Sequence, residues 1–195
     1  DTKKILITGG LGYIGSHTAV VFAQAWYEVV IIDNVSTSYM DVLGGMMEIT
    51  GKQIDFYDVD IRDYDGVKKV FADHYDIWGV IHFAAKKAVG ESCENPFLYY
   101  DNNILGTLNL LAVMHEYNKK NIVFSSSCTV YDMEKNIAPF SETDRLDTNN
   151  PYGTTKLVGE LLFHDLARHQ MYNCINLRYF NPIWAHPSLL IGENP

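Results

Sequence analysis

The chain has 195 residues, enough to bury one good core, and its 47% hydrophobic and 13% aromatic content fits a globular protein. Fifteen Lys and Arg against 24 Asp and Glu leave a net charge of −9, which argues against a nucleic-acid surface or an anionic membrane as partner. No apolar run is long enough to span a bilayer, and Cys93, Cys128 and Cys174 lack any CxxC spacing. Reduced thiols in a cytoplasmic protein are therefore the expectation.

Short apolar runs alternate with helical stretches, which predicts an α/β fold: a doubly wound parallel sheet with helices on both faces. Strand one is Lys4 to Thr8, then a Gly-rich turn and a helix from about Ile14 to Ala25. Glu28 to Asp33 is strand two; Ile31 and Ile32 suit a strand buried on both faces. Ile54 to Asp60 is strand three, followed by a helix from Tyr64 to His74 and by strand four, Gly79 to Ala84. A long helix from about Asn95 to Tyr117 has Leu105, Leu108, Leu111 and Ala112 as its apolar stripe. Asn121 to Ser127 is strand five, 132–150 a polar loop, Pro151 to about Gln170 a helix, and Cys174 to Tyr179 strand six. Residues 1–181 read as one dinucleotide-binding domain and 182–195 as the start of a further region.

The turn Gly9-Gly10-Leu11-Gly12-Tyr13-Ile14-Gly15 sits between a first strand and a first helix. Gly9 suits the tight turn, Gly12 lets backbone approach a pyrophosphate, and Gly15 allows close helix–sheet packing. The helix N-terminus there binds phosphate without Lys or Arg. Asp33 ends strand two, where a carboxylate bonds ribose hydroxyls and repels a 2′-phosphate, favouring NAD over NADP. The alternative is a turn residue, since Asn34 and Ser36 follow. Asp60 is placed either for an adenine edge or as a helix cap. Phe83-Ala84-Ala85 lies at the carboxyl edge where ligands sit in such sheets. Lys86 and Lys87 follow as a phosphate contact or a solvated pair.

Ser125-Ser126-Ser127 gathers hydroxyls at the same edge, and Tyr152 and Lys156, four apart, share one face of the next helix. The triad read from them has Ser127 bonding the substrate oxygen, Tyr152 as acid/base and Lys156 lowering the tyrosine pKa. An unperturbed Tyr titrates near about 10, so several kcal/mol of phenolate stabilisation is required. Cys128 beside Ser127 reads as a small buried residue rather than a nucleophile. No HExxH or carboxylate–histidine cluster is present, so no metal is expected.

These strings resemble the UDP-glucose 4-epimerase family of extended short-chain dehydrogenases/reductases. The likeness runs from Thr8-Gly9-Gly10 and Gly12 to His17, through Asp33-Asn34, His82-Phe83-Ala84 and Lys87 to Ser92, to Tyr99 to Asn103. It continues with Phe124 to Ser127, Thr129-Val130-Tyr131, Pro151-Tyr152-Gly153 with Lys156, Arg178 to Pro182 and Ala185 to Ser188. The resemblance implies NAD-dependent 4-epimerisation of UDP-hexoses (UDP-galactose and UDP-glucose) through a 4-keto sugar, with Tyr152 and Ser127 moving the proton. It implies NAD contacts at Tyr13, Ile14, Asp33, Asn34, Val35, Ser36, Thr37, Ser38, Asp60, Ile61, Phe83, Ala84, Ala85, Lys86, Lys87, Asn102 and Lys156. Phe180 and Asn181 fall near nicotinamide and substrate, and Lys87 also on the substrate side. The family further implies a carboxyl-terminal lobe that clamps the uridine nucleotide, and a homodimer built on the helices around 95–117 and 151–170. Related sugar-nucleotide dehydratases carry an acidic pair where Cys128-Thr129 stands here. A dehydratase or dehydrogenase, and an NAD-binding fragment without turnover, remain the alternative readings. Where the family has glycine, this chain has Trp26, Ala85, Asp132, Trp184 and Leu189. A positive φ at any of them is expected to cost on the order of a kcal/mol.

Overall fold

The computed structural model describes residues 2–193. Six strands form one parallel sheet in the order β3-β2-β1-β4-β5-β6: β1 Lys4–Thr8, β2 Glu28–Asp33, β3 Asp55–Asp58, β4 Ile77–His82, β5 Asn121–Ser127 and β6 Asn173–Tyr179. The order reverses direction between β1 and β4, which opens a crevice at their carboxyl ends. Helices α1 (Tyr13–Gln24), α2 (Asp41–Thr50), α3 (Tyr64–Asp73), α4 (Val89–Glu94), α5 (Pro96–Tyr99), α6 (Gly106–Glu116) and α7 (Pro151–Arg168) complete the fold. No helix among the described residues is long and apolar enough to cross a membrane.

The near-continuous apolar strands are explained by a core on each face. Ile5, Ile7, Val29 and Ile31 pack with Ala19, Val20, Ala23 and Met46 on one side. Leu6, Val30, Ile32 and Val80 pack with Phe71, Leu110, Met114 and Phe163 on the other. Successive residues of one strand thus enter different cores, as the pleat requires.

Three expectations need correction. Helix α2 was absent from the sequence reading; its Asp41-Val42-Leu43-Gly44-Gly45-Met46 start holds two glycines, and tertiary packing of Met46 outweighs their poor propensity. The predicted helix from about Asn95 to Tyr117 runs unbroken from Pro96 to Glu116, but it is π-helical over Tyr100–Leu105, between α5 and α6, and α4 stands before it as a separate helix. Of the expected apolar stripe, only Leu111 is buried. Leu110, Leu111, Val113 and Met114 are buried, whereas Leu105 and Leu108 are each 44% exposed and Ala112 is exposed. This helix is apolar around most of its circumference, so periodicity alone picks no face.

Helix α1 ends in a Schellman motif: Trp26 N–H donates to the Ala23 carbonyl at 3.1 Å and Tyr27 N–H to Phe22 at 3.0 Å, with the Phe22 and Tyr27 rings packed 5.0 Å apart. Trp26 therefore occupies the left-handed position at φ 68, where glycine is the usual residue. Leu189 is likewise left-handed at φ 62, but Ala85, Asp132 and Trp184 are not among the positive-φ residues. Asp132 has a use of its own: its Oδ1 accepts from Glu134 and Lys135 N–H, and Arg145 Nε lies 3.0 Å from Oδ2. Trp26→Gly is expected to relieve about 1–2 kcal/mol of left-handed strain. It loses about 0.5–1 kcal/mol of Trp26–Lys52 cation–π contact. The net gain of about 0.5–1 kcal/mol appears in a thermal melt as a rise of about 1–4 °C.

Candidate active site

The residues singled out for a ligand lie on strand ends, on the loops that leave the strands, and on α1, the π-helical stretch and α7. Gly9 turns at φ 68, and a Cβ there would stand 2.7 Å from the Ala84 backbone nitrogen. A Cβ on Gly15 would overlap the Gly9 carbonyl oxygen and come within 2.9 Å of Gly10 Cα. Gly12 differs, because a Cβ there meets only the Gly9 carbonyl, at 3.3 Å, with open space beyond. Gly9 and Gly15 are demanded by the chain itself; Gly12 keeps a surface clear. Tyr13 and Ile14 begin α1, whose Gly12 cap supplies no side-chain hydrogen bond, so the first-turn amides lack a side-chain acceptor.

Asp33, at the end of β2, serves the turn. Its Oδ1 accepts from Val35 N–H and Ser38 Oγ, each at 2.9 Å, and its Oδ2 from Leu11 N–H at 3.0 Å. Oδ2 retains one acceptor direction. Val35 is held at φ 52, and Ser36 bonds Asn34 Oδ1 through both N–H and Oγ; Thr37 is exposed. Asp60 does not cap α3; Asp63 does, accepting from Gly66 N–H. The Asp60 carboxylate is instead filled by Arg62, through N–H, Nε and Nη2, and by Asn34 Nδ2. The Arg62 guanidinium holds it well below the usual carboxylate range. Ile61 is buried against Gly106.

The loop after β4 is fixed from both sides. Phe83 N–H donates to the Thr8 carbonyl at 3.0 Å, and Ala84 N–H to Thr8 Oγ1 at 3.3 Å. Thr8 Oγ1 also meets His82 Nδ1 at 2.7 Å, and His82 Nε2 meets Thr107 Oγ1 at 2.9 Å. Burial, with the Lys156 charge second, pushes this histidine down to about 3, so it is a neutral structural link. Ala85 is half-buried. Asn103 grips the Lys86 backbone, accepting from its N–H at 2.9 Å and donating to its carbonyl at 3.0 Å, and it also reaches Thr155 Oγ1. Asn102 donates to Asn103. Asn103 was missed from sequence; two adjacent asparagines in an otherwise apolar helix were the available signal. Lys87 is exposed and pairs with Glu193 at 3.4 Å.

Ser127 ends β5, and its Oγ accepts from Thr129 N–H and Oγ1. Asn150 caps α7 by accepting from Gly153 N–H, and Ser92 Oγ accepts from Tyr152 N–H, so the helix start is pinned from two loops. Burial raises the Tyr152 phenol above its ordinary value, and a hydrogen bond with Ser127 pulls it part of the way back. Lys156 is buried and donates to the Ser125 carbonyl at 2.7 Å, with its Nζ 5.9 Å from the Tyr152 ring centroid. Burial pushes its ammonium down to about 8. In this arrangement the Lys156 ammonium stands on the Tyr152 side of α7 with its hydrogen bond given to the Ser125 carbonyl. Burial also raises the Cys128 thiol, which suits a packing residue and not a nucleophile. Phe180 is 55% exposed beside Tyr131 and Phe140, and Asn181 is exposed.

The fold thus joins a glycine turn, the Asp33 carboxylate and a Ser-Tyr-Lys cluster. The profile of the NAD dependent epimerase/dehydratase family matches residues 5–188. The chain belongs to that family. Its relatives include the UDP-glucose 4-epimerase of Dictyostelium discoideum, 49% identical over 98% of this chain and 56% of the relative. That of Bacillus subtilis (strain 168) is 48% identical over the same shares. The fold superposes with a TM-score of 0.95 on two solved structures, each 44% identical over 99% of this chain. One is UDP-glucose 4-epimerase from Stenotrophomonas maltophila with NAD and formylated UDP-arabinopyranose, of which 57% is covered. The other, from Bifidobacterium longum with NAD+ and UDP, is 58% covered. The chain spans little more than half the length of these family members.

Proposed function

We propose that this chain binds NAD across the β1/β4 crevice and takes part in 4-epimerisation of UDP-hexoses. The observation that carries the reading is the placing of Ser127, Tyr152 and Lys156 on the same sheet edge as the Gly9–Gly15 cradle. The residues fit a dinucleotide: Gly12 leaves room for a pyrophosphate at the uncapped start of α1, and the free acceptor direction of Asp33 suits a ribose hydroxyl. A 2′-phosphate would meet that carboxylate, which favours NAD over NADP. When bound, NAD supplies a reversible hydride acceptor. Tyr152 takes the proton of the sugar 4-hydroxyl and later returns it, and Ser127 orients that oxygen. Lys156, one turn along α7, holds a positive charge on the same side. Phe180, Asn181 and Lys87 line the substrate side. Residues 182–195 begin a substrate-binding region.

A second reading, an NAD-binding unit without turnover, is favoured by the exposure of Phe180 and Asn181 on the proposed substrate side. Proton NMR of UDP-galactose with the purified chain and no added NAD separates the two. Conversion to UDP-glucose supports the epimerase, and Tyr152→Phe is expected to lower it at least about 10²-fold while NAD binding is kept. Normal turnover by that variant would overturn the site. A folded chain that binds NAD and converts nothing supports the second reading. Leu105 at the end of the π-helical stretch, Leu108 on α6 and Leu161 on α7 are exposed apolar positions that suit a homodimer. A cytoplasmic location agrees with three unpaired cysteines.

A further inference from the structure

Two successive turns of α7 hold two successive residues of β5. Lys156 donates to the Ser125 carbonyl, and Glu160, one turn on and 6% exposed, accepts a short hydrogen bond from Ser126 Oγ. The same carboxylate receives a fork from Arg178 on β6, Nε to Oε1 at 2.9 Å and Nη2 to Oε2 at 2.7 Å. Arg178 further lies 4.8 Å from the Tyr131 ring centroid and donates to the Glu142 carbonyl at 3.3 Å. One buried carboxylate therefore joins the helix of Tyr152 to the strand ending at Ser127, and both to the strand leading to Phe180. A buried ion pair is an expensive way to gain stability, and its best-attested use is to fix register. The register at stake here is that of α7 on β5, which brings Ser127 within reach of Tyr152.

We propose that Glu160 and Arg178 are positioning residues: through Ser126 they set where Ser127, at the end of β5, stands against α7 and Tyr152, and how β6 approaches the site. The proposal rests on the reading that Tyr152 is the acid/base. Ser126 transmits the constraint along β5, and the planar fork lets Arg178 turn neither helix nor strand without breaking two bonds. Lysine in its place keeps the charge and loses the fork.

The test uses the full chain with tyrosine labelled with ¹³C at Cζ, whose chemical shift reports hydrogen bonding of the phenol. Tyr152→Phe assigns the resonance, and Ser127→Ala gives the displacement caused by direct loss of the Ser127 hydroxyl. Ser126→Ala, Glu160→Gln and Arg178→Lys are expected to move the Tyr152 resonance in the same direction and by a comparable amount. NAD affinity is expected to stay within about threefold, since none of the three groups faces the cofactor cradle. Phe163→Leu, a core change in the same helix, is expected to lower the melting temperature without moving that resonance. An unmoved resonance in folded Ser126→Ala and Arg178→Lys would overturn the proposal, as would an equal displacement in Phe163→Leu. Failure of the unmodified chain to bind NAD would overturn the functional reading instead, and the comparison of resonances would still decide the positioning role.

Discussion

Gly15→Ala is expected to destabilise the fold by about 3 kcal/mol, while Gly12→Ala leaves stability almost unchanged and weakens NAD binding. The added methyl at Gly15 would collide with the Gly9 carbonyl and stand 2.9 Å from Gly10 Cα, all of it backbone that no rotamer change can move aside. Helix α1 must lift from the turn, opening the contact of Ala19, Val20 and Ala23 with the sheet. At about 2–4 °C per kcal/mol for a chain of this size, the melting temperature falls by roughly 6–12 °C. The methyl of Gly12→Ala meets only one carbonyl, at 3.3 Å, and otherwise fills the space assigned to the pyrophosphate. Its melting temperature is expected within about 2 °C of the unmodified chain, with NAD affinity reduced tenfold or more. Calorimetric melts and titrations of the two variants check the pair. Equal melting temperatures would show that the turn is not packed as described.

Lys156→Met is expected to stabilise the chain near neutral pH, at the expense of the proposed chemistry. Burial lowers the folded-state pKa of Lys156 from 10.5 to about 8. The unfolded chain therefore binds more protons between those values, and stability must rise with pH across that window. Below about pH 8 the charged ammonium burdens the fold by roughly 3 kcal/mol, at about 1.4 kcal/mol per pH unit. Methionine removes that burden but also the bond to the Ser125 carbonyl, worth about 1 kcal/mol, for a net gain of about 2 kcal/mol. Urea unfolding at pH 7, 9 and 10.5 is expected to show the gap between variant and unmodified chain closing as pH rises. A gap independent of pH would mean that Lys156 is not charged and desolvated in the fold. The same burial explains why such a lysine is retained: a costly ammonium beside Tyr152 has use only if the site needs it.

Sequence and tertiary structure divided the rest between them. Strands β1, β2, β5 and β6, the Gly turn and the Tyr152–Lys156 pair were legible in sequence because each rests on local geometry. Apolar runs mark β1 and β2, buried on both faces, and the β-rich runs of β5 and β6; Gly9 and Gly15 mark a turn with no room for a Cβ there, and a spacing of four places two side chains on one helix face. Helix α2, the π-helical stretch at Tyr100–Leu105 and the buried face of α6 were not legible. Weak helix formers in the first, the buried Asn102-Asn103 pair in the second and near-uniform apolarity in the last leave the choice to packing partners far along the chain. The site divides in the same way. Ser127, Tyr152 and Lys156 could be named from their types and order, but only the fold decides that the Lys156 ammonium bonds Ser125 and that Asp60 is taken by Arg62. Asn103 clamping Lys86 and the Glu160–Arg178 fork join residues 17 and 18 positions apart. Each depends on which elements the sheet order sets side by side, and the hydrogen-bonding capacity of a side chain carries no record of its eventual partner.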